Sequence, residues 1–188
     1  MWRWIRRVAA AVGIVLVSAI GYLGFLHVSG NFHEVSAGTV YRAAQMDGQR
    51  LVRWHRDHAI ASVLNLRGEN SGTDWYETEK AVTDRLGIKH IDFRMSASHE
   101  LTPDQARELI AIMRDAPKPL LIHCMGGADR TGLASALYVA GIDGGTESAA
   151  EWQLSPIFGH VSLPEISAAW AMDETWERME PELGFYDS

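Results

Sequence analysis

The sequence predicts a single α/β domain, with a mostly parallel sheet flanked by helices, preceded by an N-terminal transmembrane helix. Two features predict the domain: apolar runs at residues 60–66 and 120–122 have the length of buried strands, and segments with helical periodicity alternate with them. This alternation is typical of parallel β-α units. A third feature predicts the membrane helix, because residues 8–28 contain no Asp, Glu, Lys or Arg.

The N-terminal segment, residues 1–30, is predicted to anchor the domain formed by residues 31–188. At 1.5 Å per residue, the uncharged stretch spans about 30 Å, which matches the hydrocarbon core of a bilayer. Its uniform apolarity and its terminal position favour a membrane segment over a helix of the domain core. A cleaved signal peptide is the alternative, because residues 28–30 (VSG) include the small side chains found at cleavage sites.

The placement of basic residues predicts the orientation of this segment. Arg3, Arg6 and Arg7 precede the uncharged stretch, and the first Lys or Arg after it is Arg42. Because basic residues remain on the cytoplasmic side of a membrane, the N-terminus is expected in the cytoplasm and the domain outside it.

The overall composition limits the possible partners. The 188 residues carry a net charge of -7 and are 47% hydrophobic, which is enough for a core without metals or disulfides. The acidic balance disfavours nucleic acid as a partner, because its phosphates attract clusters of Lys and Arg. The single cysteine, Cys124, excludes a disulfide within the chain and is informative only through its neighbours.

Turn and capping signals set the order of elements in the domain. In the clearest signal, Thr102 caps a helix, Pro103 takes its first position and Gln105 closes a capping box. The predicted order is two short β-segments within 31–42, a helix at 47–58, a strand at 60–66, a loop at 67–74, a helix at 75–86 that ends at Gly87, a strand at 88–93, the capped helix ending at Pro117, a strand at 120–122, and helices at 131–142, 147–154 and 164–179.

One loop carries residues with clear chemical potential. It reads HCMGGADRTG at residues 123–132 and joins a buried strand to an apolar helix. In such a unit, backbone N–H groups and the positive end of the helix converge on one point, which favours an anion. Cys124 experiences the same field, so its thiolate is stabilised and becomes a nucleophile at neutral pH.

The other residues of this loop suit a phosphate group. The planar guanidinium of Arg130 can hold two phosphate oxygens, and the two glycines let the backbone approach the ligand without a Cβ in the way. Thr131 is expected to donate its hydroxyl to the thiolate, and His123 to orient the loop through hydrogen bonds. The predicted phosphate-binding residues are Met125, Gly126, Gly127, Ala128, Asp129 and Arg130.

The motif His-Cys-x5-Arg-Thr-Gly resembles the signature of the protein tyrosine and dual-specificity phosphatase superfamily, and GADRTG is similar to its bacterial members. A looser similarity extends from about residue 31 (NFHEVSAGTVYRAAQ, SVLNLR) to about residue 159 (EWQLSPIFG). The resemblance implies hydrolysis of phosphate monoesters through a cysteinyl-phosphate intermediate, with no metal or other cofactor. Together with the charge pattern, it predicts a single-pass protein of a bacterial inner membrane with a periplasmic domain, or a periplasmic protein released by signal cleavage.

The general acid that protonates the leaving group stays open among four residues. Members of the superfamily usually supply an Asp from the loop that here spans residues 94–100, but this loop reads RMSASHE. Asp129 is the first candidate, because some bacterial relatives carry an Asp directly before the signature Arg. The others are His99 and Glu100 in the loop, and Asp92 at the end of a predicted strand.

Two alternative functions use a comparable loop. A rhodanese-type sulfur transferase has a shorter catalytic loop, whereas five residues between Cys124 and Arg130 suit phosphate. A catalytically inactive module that binds phosphorylated ligands would be expected to lack the Cys or the Arg. For a phosphatase, a phosphotyrosine protein and an envelope lipid phosphate are both candidate substrates, while the lack of Lys and Arg at 125–129 disfavours highly phosphorylated inositols. Gln153 is interpreted either as a residue that positions the hydrolytic water or as a helix-surface residue.

Overall fold

A five-stranded sheet forms the centre of the domain in the computed structural model, which describes residues 2–186. Across the sheet the strands are β1 (His33–Ser36), β2 (Val40–Ala43), β5 (Leu120–His123), β3 (Ser62–Asn65) and β4 (Lys89–Asp92). β1 runs antiparallel to β2, and the other three neighbouring pairs are parallel. The sheet is therefore mixed but mostly parallel, as predicted. Residues 1 and 187–188, at the outer ends of the two predicted segments, lie outside the described residues.

Helices cover both faces of this sheet. Within residues 2–186 the helices are α1 (Trp2–Ser29), α2 (Gly48–His58), α3 (Asp74–Leu86), α4 (Pro103–Asp115), α5 (Asp129–Gly141), α6 (Glu147–Glu151) and α7 (Trp170–Met179), with short 3-10 turns at Trp152–Leu154, Pro156–Phe158 and Pro181–Leu183. Helices α2 and α3 cover one face of the sheet, and α4, α5 and α7 cover the other. Successive side chains of β5 point to opposite faces. Leu121 packs with residues of α2 and α3, while Leu120 and Ile122 pack with residues of α4, α5 and α7. The carboxyl end of β5 is therefore enclosed between two helical layers.

The predicted start and stop signals are confirmed. The side chain of Thr102 accepts the backbone N–H of Gln105 at 3.3 Å, and the side chain of Gln105 accepts the N–H of Thr102 at 2.9 Å. These two bonds complete the capping box of α4. Gly87, with a φ of 68°, ends α3 in the left-handed conformation.

Two predicted helix boundaries are wrong. The helix predicted over 164–179 begins only at Trp170, because residues 164–169 form turns and Glu165 has a φ of 59°. The helix predicted over 147–154 ends at Glu151 and continues as a 3-10 turn. In addition, α5 begins at Asp129 rather than at residue 131, which brings the end of the candidate loop into the first helical turn.

α1 is the one helix of residues 2–186 that is long and apolar enough to cross a membrane. It has 28 residues, and its most apolar window has a mean hydropathy of 2.2. Its C-terminal end contacts the domain: Leu26 is 4% exposed, and Arg50 of α2 donates to the carbonyl of Val28 at 2.7 Å. The end of α1 is thus docked on the domain, while its role as a membrane anchor stays a prediction.

Candidate active site

The loop from Cys124 to Arg130 starts at the carboxyl end of β5 and leads directly into α5. Cys124 is 3% exposed, and its Sγ accepts the backbone N–H of Gly127 at 3.3 Å. Gly127 has a φ of 69°, and a Cβ at this position would lie 2.6 Å from the backbone of Ala43 on β2. Only glycine fits there. The loop therefore curls around the sulfur close to the positive end of α5, as an anion cradle requires.

A buried guanidinium holds this loop from the side of the sheet. Arg42 on β2 is fully buried, and its Nη2 donates to the carbonyls of Gly127 at 3.0 Å and Ala128 at 3.3 Å. In a trans peptide the C=O and the following N–H point in opposite directions. The contacts of Arg42 therefore turn the N–H groups of Ala128 and Asp129 away from the sheet, toward the open side of the loop.

The second nitrogen of Arg42 explains the position of Gln153. Nη1 donates to the backbone carbonyl of Gln153 at 2.8 Å and to its side-chain oxygen at 2.9 Å, and the guanidinium stacks on Phe158 at 4.0 Å. Burial lowers the pKa of Arg42 to about 9, an effect that the charge of Cys124 partly offsets. Gln153 is itself buried, so its interpretation as a helix-surface residue is wrong. Arg42 was not predicted as a site residue, although a charged residue between apolar residues of a strand was an available signal.

Asn31 is a second supporting residue that sequence analysis missed. Its side-chain amide donates to the carbonyls of Gly126 at 3.0 Å and Phe158 at 2.8 Å, and the residue is only 1% exposed. Together, Asn31 and Arg42 occupy three successive carbonyls of the loop, at residues 126 to 128. The loop is therefore held in one conformation before any ligand binds, which reduces the entropic cost of binding.

His123, the residue before Cys124, belongs to a buried polar network. Its Nε2 lies 3.1 Å from Oε1 of Glu79, which also lies 2.9 Å from Nε2 of His90, and the other oxygen of Glu79 accepts from Gln45 at 2.9 Å. Burial alone would raise the pKa of Glu79, but the charges and hydrogen bonds of His123 and His90 lower it well below its usual range. Glu79 on α3 was not predicted, because nothing in its own segment of the sequence distinguishes it from a surface residue.

Arg130 closes the loop beside a second cation. Its Nη1 lies 3.4 Å from the carbonyl of Met95 and donates to it. Arg67, which sequence analysis assigned only to a polar loop, stacks on Trp75 at 3.8 Å and donates to Gln45 at 3.0 Å. Burial and the charge of Arg130 lower the pKa of Arg67, while Cys124 and Glu79 raise it. The charges at both ends of the loop, Cys124 and Arg130, therefore influence the pKa of Arg67.

Thr131 lies on α5 directly after Arg130 and is fully buried. Its hydroxyl has no hydrogen-bond partner among residues 2–186, and the predicted bond to Cys124 is not formed in this structure. An unsatisfied buried hydroxyl is costly, and this one lies at the base of the loop, next to Arg130.

Asp129, the first candidate for the general acid, is hydrogen-bonded to a buried histidine. Its Oδ1 lies 2.8 Å from Nδ1 of His160, whose Nε2 lies 3.1 Å from Oδ2 of Asp173 on α7. Burial alone would lower the pKa of His160, but the hydrogen bonds and charges of the two carboxylates outweigh it and raise that pKa to about 9. His160 is therefore cationic at neutral pH and holds a proton next to Asp129. Neither His160 nor Asp173 was predicted from the sequence.

The other three candidate acids make contacts of their own. Asp92 accepts hydrogen bonds at both oxygens, from Asn65 at 2.8 Å and from the hydroxyl of Tyr76 at 2.6 Å. His99 bonds to serines of its own exposed loop, and Glu100 pairs with Arg178 on α7. Of the four candidates, Asp129 is the one inside the loop of Cys124 and Arg130.

Residues 2–186 contain one group of carboxylates close enough to hold a metal ion. Its members, Glu147, Glu151 and Glu180, have oxygens within 4.8 Å of one another. None of the three belongs to the loop of Cys124. The expectation of a reaction without metal or cofactor stays a prediction.

A cysteine and an arginine at the two ends of a strand–loop–helix cradle define the class of cysteine-based phosphatases. Residues 39–171, more than two thirds of the chain, match the family described as Swiss Army Knife protein, DSP-PTPase phosphatase domain. The chain belongs to this family, which confirms the resemblance to dual-specificity and tyrosine phosphatases. A search of the curated proteins found no match.

Solved structures share the fold at low sequence identity. TpbA of P. aeruginosa is 20% identical, with a TM-score of 0.57 over 80% of this chain and 91% of that one. PTPMT1 is 15% identical, with a TM-score of 0.60 over 81% and 95% of the two chains. The catalytic core of the PP-IP phosphatase SIW14 from S. cerevisiae is 17% identical, with a TM-score of 0.59 over 82% and 93%. A TpbA variant has been solved in complex with pTyr.

Proposed function

We propose that the protein hydrolyses phosphate monoesters through a cysteinyl-phosphate intermediate. The thiolate of Cys124 attacks phosphorus, the S–P bond forms, and the alkoxide or phenoxide leaves; water then breaks the S–P bond and releases inorganic phosphate. The observation that carries the proposal is the cradle itself, in which a buried sulfur receives a backbone N–H at 3.3 Å beside the start of α5. Phosphatase assay of the wild type against the Cys124→Ser variant tests it.

Each residue of the loop has a proposed role in this reaction. The backbone N–H groups from Met125 to Arg130 bind the phosphate oxygens, and the guanidinium of Arg130 gains strength as charge moves onto these oxygens in the transition state. Thr131 donates its unsatisfied hydroxyl to the sulfur when Cys124 becomes the leaving group. His123 positions the cysteine through its contact with Glu79.

Asp129 is the proposed general acid, supplied with its proton by His160. The two side chains are 2.8 Å apart, and His160 holds a proton at neutral pH. As negative charge develops on the leaving oxygen, His160 gives its proton to the carboxylate of Asp129, and Asp129 passes this proton to the leaving oxygen, which leaves His160 neutral. Asp173 compensates the charge of His160 from the other side.

Replacing Asp129 by Asn should therefore slow poor leaving groups selectively. We expect a loss of about 100-fold in kcat/KM on an alkyl phosphate, but less than about tenfold on p-nitrophenyl phosphate, because p-nitrophenolate leaves without a proton. Steady-state kinetics on both substrates measures this difference. Equal losses on both would assign Asp129 to the geometry of the loop and return the search to His99 and Glu100.

His160→Gln provides the control for the proton source. In the wild type, activity on the alkyl phosphate should fall as the pH rises through about 9, because His160 then loses its proton. The variant should lack this alkaline limb while still hydrolysing p-nitrophenyl phosphate. An unchanged pH profile in His160→Gln would mean that His160 only packs against Asp129.

We also propose that α1 anchors the protein in a bacterial inner membrane, with the domain in the periplasm. The support is the apolar length of α1 and the three Arg residues before its apolar stretch. A C-terminal alkaline phosphatase fusion should be active, and a green fluorescent protein fusion exported by the same route should be dark. The reverse pattern would place the domain in the cytoplasm. Release of the protein by osmotic shock would identify the segment as a cleaved signal peptide.

A further inference from the structure

Most of the exposed large apolar side chains outside α1 lie in the loop of Cys124 or in the segment 157–166, whose His160 contacts Asp129 of that loop. Outside α1, the described residues include seven large hydrophobic side chains that are exposed, and five of them belong to the loop of Cys124 or to the segment 157–166. These five, named here the apolar rim, are Met125 (65% exposed), Ile157 (43%), Val161 (56%), Leu163 (53%) and Ile166 (81%). Such a concentration next to a site marks a surface that contacts another apolar phase.

The segment that carries most of the apolar rim contacts the end of α1 at Ile157. The hydroxyl of Tyr22 donates to the carbonyl of Ile157 at 2.6 Å. A Cβ added at Gly159 would lie 3.3 Å from Leu26 and 3.7 Å from Ala128 of the catalytic loop. The predicted membrane helix, the start of the segment 157–166 and the loop of Cys124 therefore meet at one place.

Two aromatic residues of α1 indicate how deep in the bilayer the contact between Tyr22 and Ile157 lies. Trp4 and Tyr22 are separated by 18 residues, or about 27 Å along a helix, close to the thickness of a hydrocarbon core. Trp and Tyr are enriched at both membrane–water interfaces. With Trp4 at one interface, the side chains of Arg6 and Arg7 extend back toward it and Tyr22 lies at the other interface, so the hydrocarbon core takes residues 5–21 of α1 rather than the whole predicted stretch 8–28. The carbonyl of Ile157 that Tyr22 contacts lies at the same level. The rest of α1, from Leu23 to Ser29, then rises through the headgroup layer alongside the domain.

We propose that the apolar rim inserts into the bilayer surface, and that the active site therefore takes a phosphate monoester carried by a lipid headgroup of the same leaflet. This inference rests on the proposed phosphatase function and names its substrate class. Segment 155–170 contains no Lys or Arg, and its one carboxylate is Glu165, so contact depends on apolar burial and not on attraction to anionic lipids. A soluble phosphoprotein would have to reach Cys124 at the height of the headgroups.

Cysteine accessibility tests the insertion without using the enzyme's activity. The full chain carrying Cys124→Ser and Ile166→Cys is placed in phosphatidylcholine nanodiscs and treated with a membrane-impermeant maleimide. Trp152→Cys in the same background is the control, because Trp152 is also exposed (53%, against 81% for Ile166) but lies beside Val139 and Asp143, toward the far end of α5. We expect labelling at position 166 to be at least about tenfold slower than at position 152, since insertion removes an apolar side chain from water. Equal labelling rates would overturn the insertion.

A comparison of substrates tests the assignment of a lipid-borne phosphate monoester as the substrate. In the same nanodiscs, the chain with native Cys124 is given phosphatidic acid, phosphatidylglycerophosphate or a soluble phosphotyrosine peptide. We expect at least one lipid to be hydrolysed with about tenfold higher kcat/KM than the peptide, and Leu163→Ser/Ile166→Ser to lose this advantage while keeping its activity on p-nitrophenyl phosphate. A preference for the peptide would overturn the lipid assignment and leave the phosphatase function intact. Failure to hydrolyse any of these phosphate monoesters would overturn the proposed function itself.

Discussion

Replacing Cys124 by Ser is expected to reduce turnover of p-nitrophenyl phosphate by at least about 10,000-fold, because the enzyme loses its nucleophile while the rest of the site remains. Serine has nearly the same shape, and the loop is held by Arg42 and Asn31 rather than by the sulfur. The cradle should therefore keep its form. Steady-state kinetics at neutral pH measures the loss.

Binding of vanadate provides the control for this variant. Because the backbone N–H groups and Arg130 remain, Cys124→Ser should still bind an oxyanion, and thermal unfolding with and without vanadate should show stabilisation of the folded state. Turnover within tenfold of the wild type would contradict the covalent mechanism. Loss of both turnover and binding would mean that the sulfur shapes the loop.

The same experiment separates the two alternative functions. A sulfur transferase of the rhodanese type would move sulfur from thiosulfate to cyanide and leave p-nitrophenyl phosphate untouched. An inactive binding module would show no difference in turnover between the wild type and Cys124→Ser, although both would bind phosphorylated ligands. The proposed phosphatase differs from both, because only its wild type hydrolyses the monoester.

The strand–loop–helix unit around Cys124 could be predicted from the sequence because its parts are contiguous. β5, the loop and α5 follow one another along the chain, so the positions of Cys124 and Arg130 at the two ends of a cradle depend only on local signals. The capping box of α4 was predictable for the same reason, since Thr102 and Gln105 are three residues apart. Where the local signal was ambiguous, as at Pro164, the predicted helix started too early.

The supporting residues of the site could not be found by such local signals. Asn31, Arg42 and Glu79 reach the loop from segments 44 to 95 residues away in sequence, and His160 approaches from the other side. Their contacts depend on the strand order, which places β2 and β3 next to β5. Arg42 is the partial exception, because a charge inside an apolar strand must find buried acceptors. Its presence in a strand could have indicated that backbone carbonyls of a loop lie against the sheet at this position.

Replacing Arg130 by Lys is the second change with a large expected effect. The guanidinium can donate two parallel hydrogen bonds to the equatorial oxygens of a phosphate, whereas an ammonium is a point charge on a flexible chain. Because lysine keeps the positive charge, this variant tests only the loss of the two parallel hydrogen bonds that the guanidinium donates. We expect kcat to fall by about 100-fold to 1,000-fold, the loss seen when one preorganised donor to a developing negative charge is removed.

Arg67→Lys is the matched control for this result. Arg67 is a nearby cation of the same type, but its guanidinium stacks on Trp75 and donates to Gln45. It is therefore expected to contribute positive charge to the site, and not a pair of hydrogen bonds to the phosphate. The change should lower kcat by less than about tenfold, since the positive charge is kept. Parallel measurement of kcat and of vanadate affinity for both variants decides the assignment. A near-normal kcat in Arg130→Lys, or a larger loss in Arg67→Lys, would give Arg130 a structural role through its bond to Met95 and move the phosphate-binding function to Arg67.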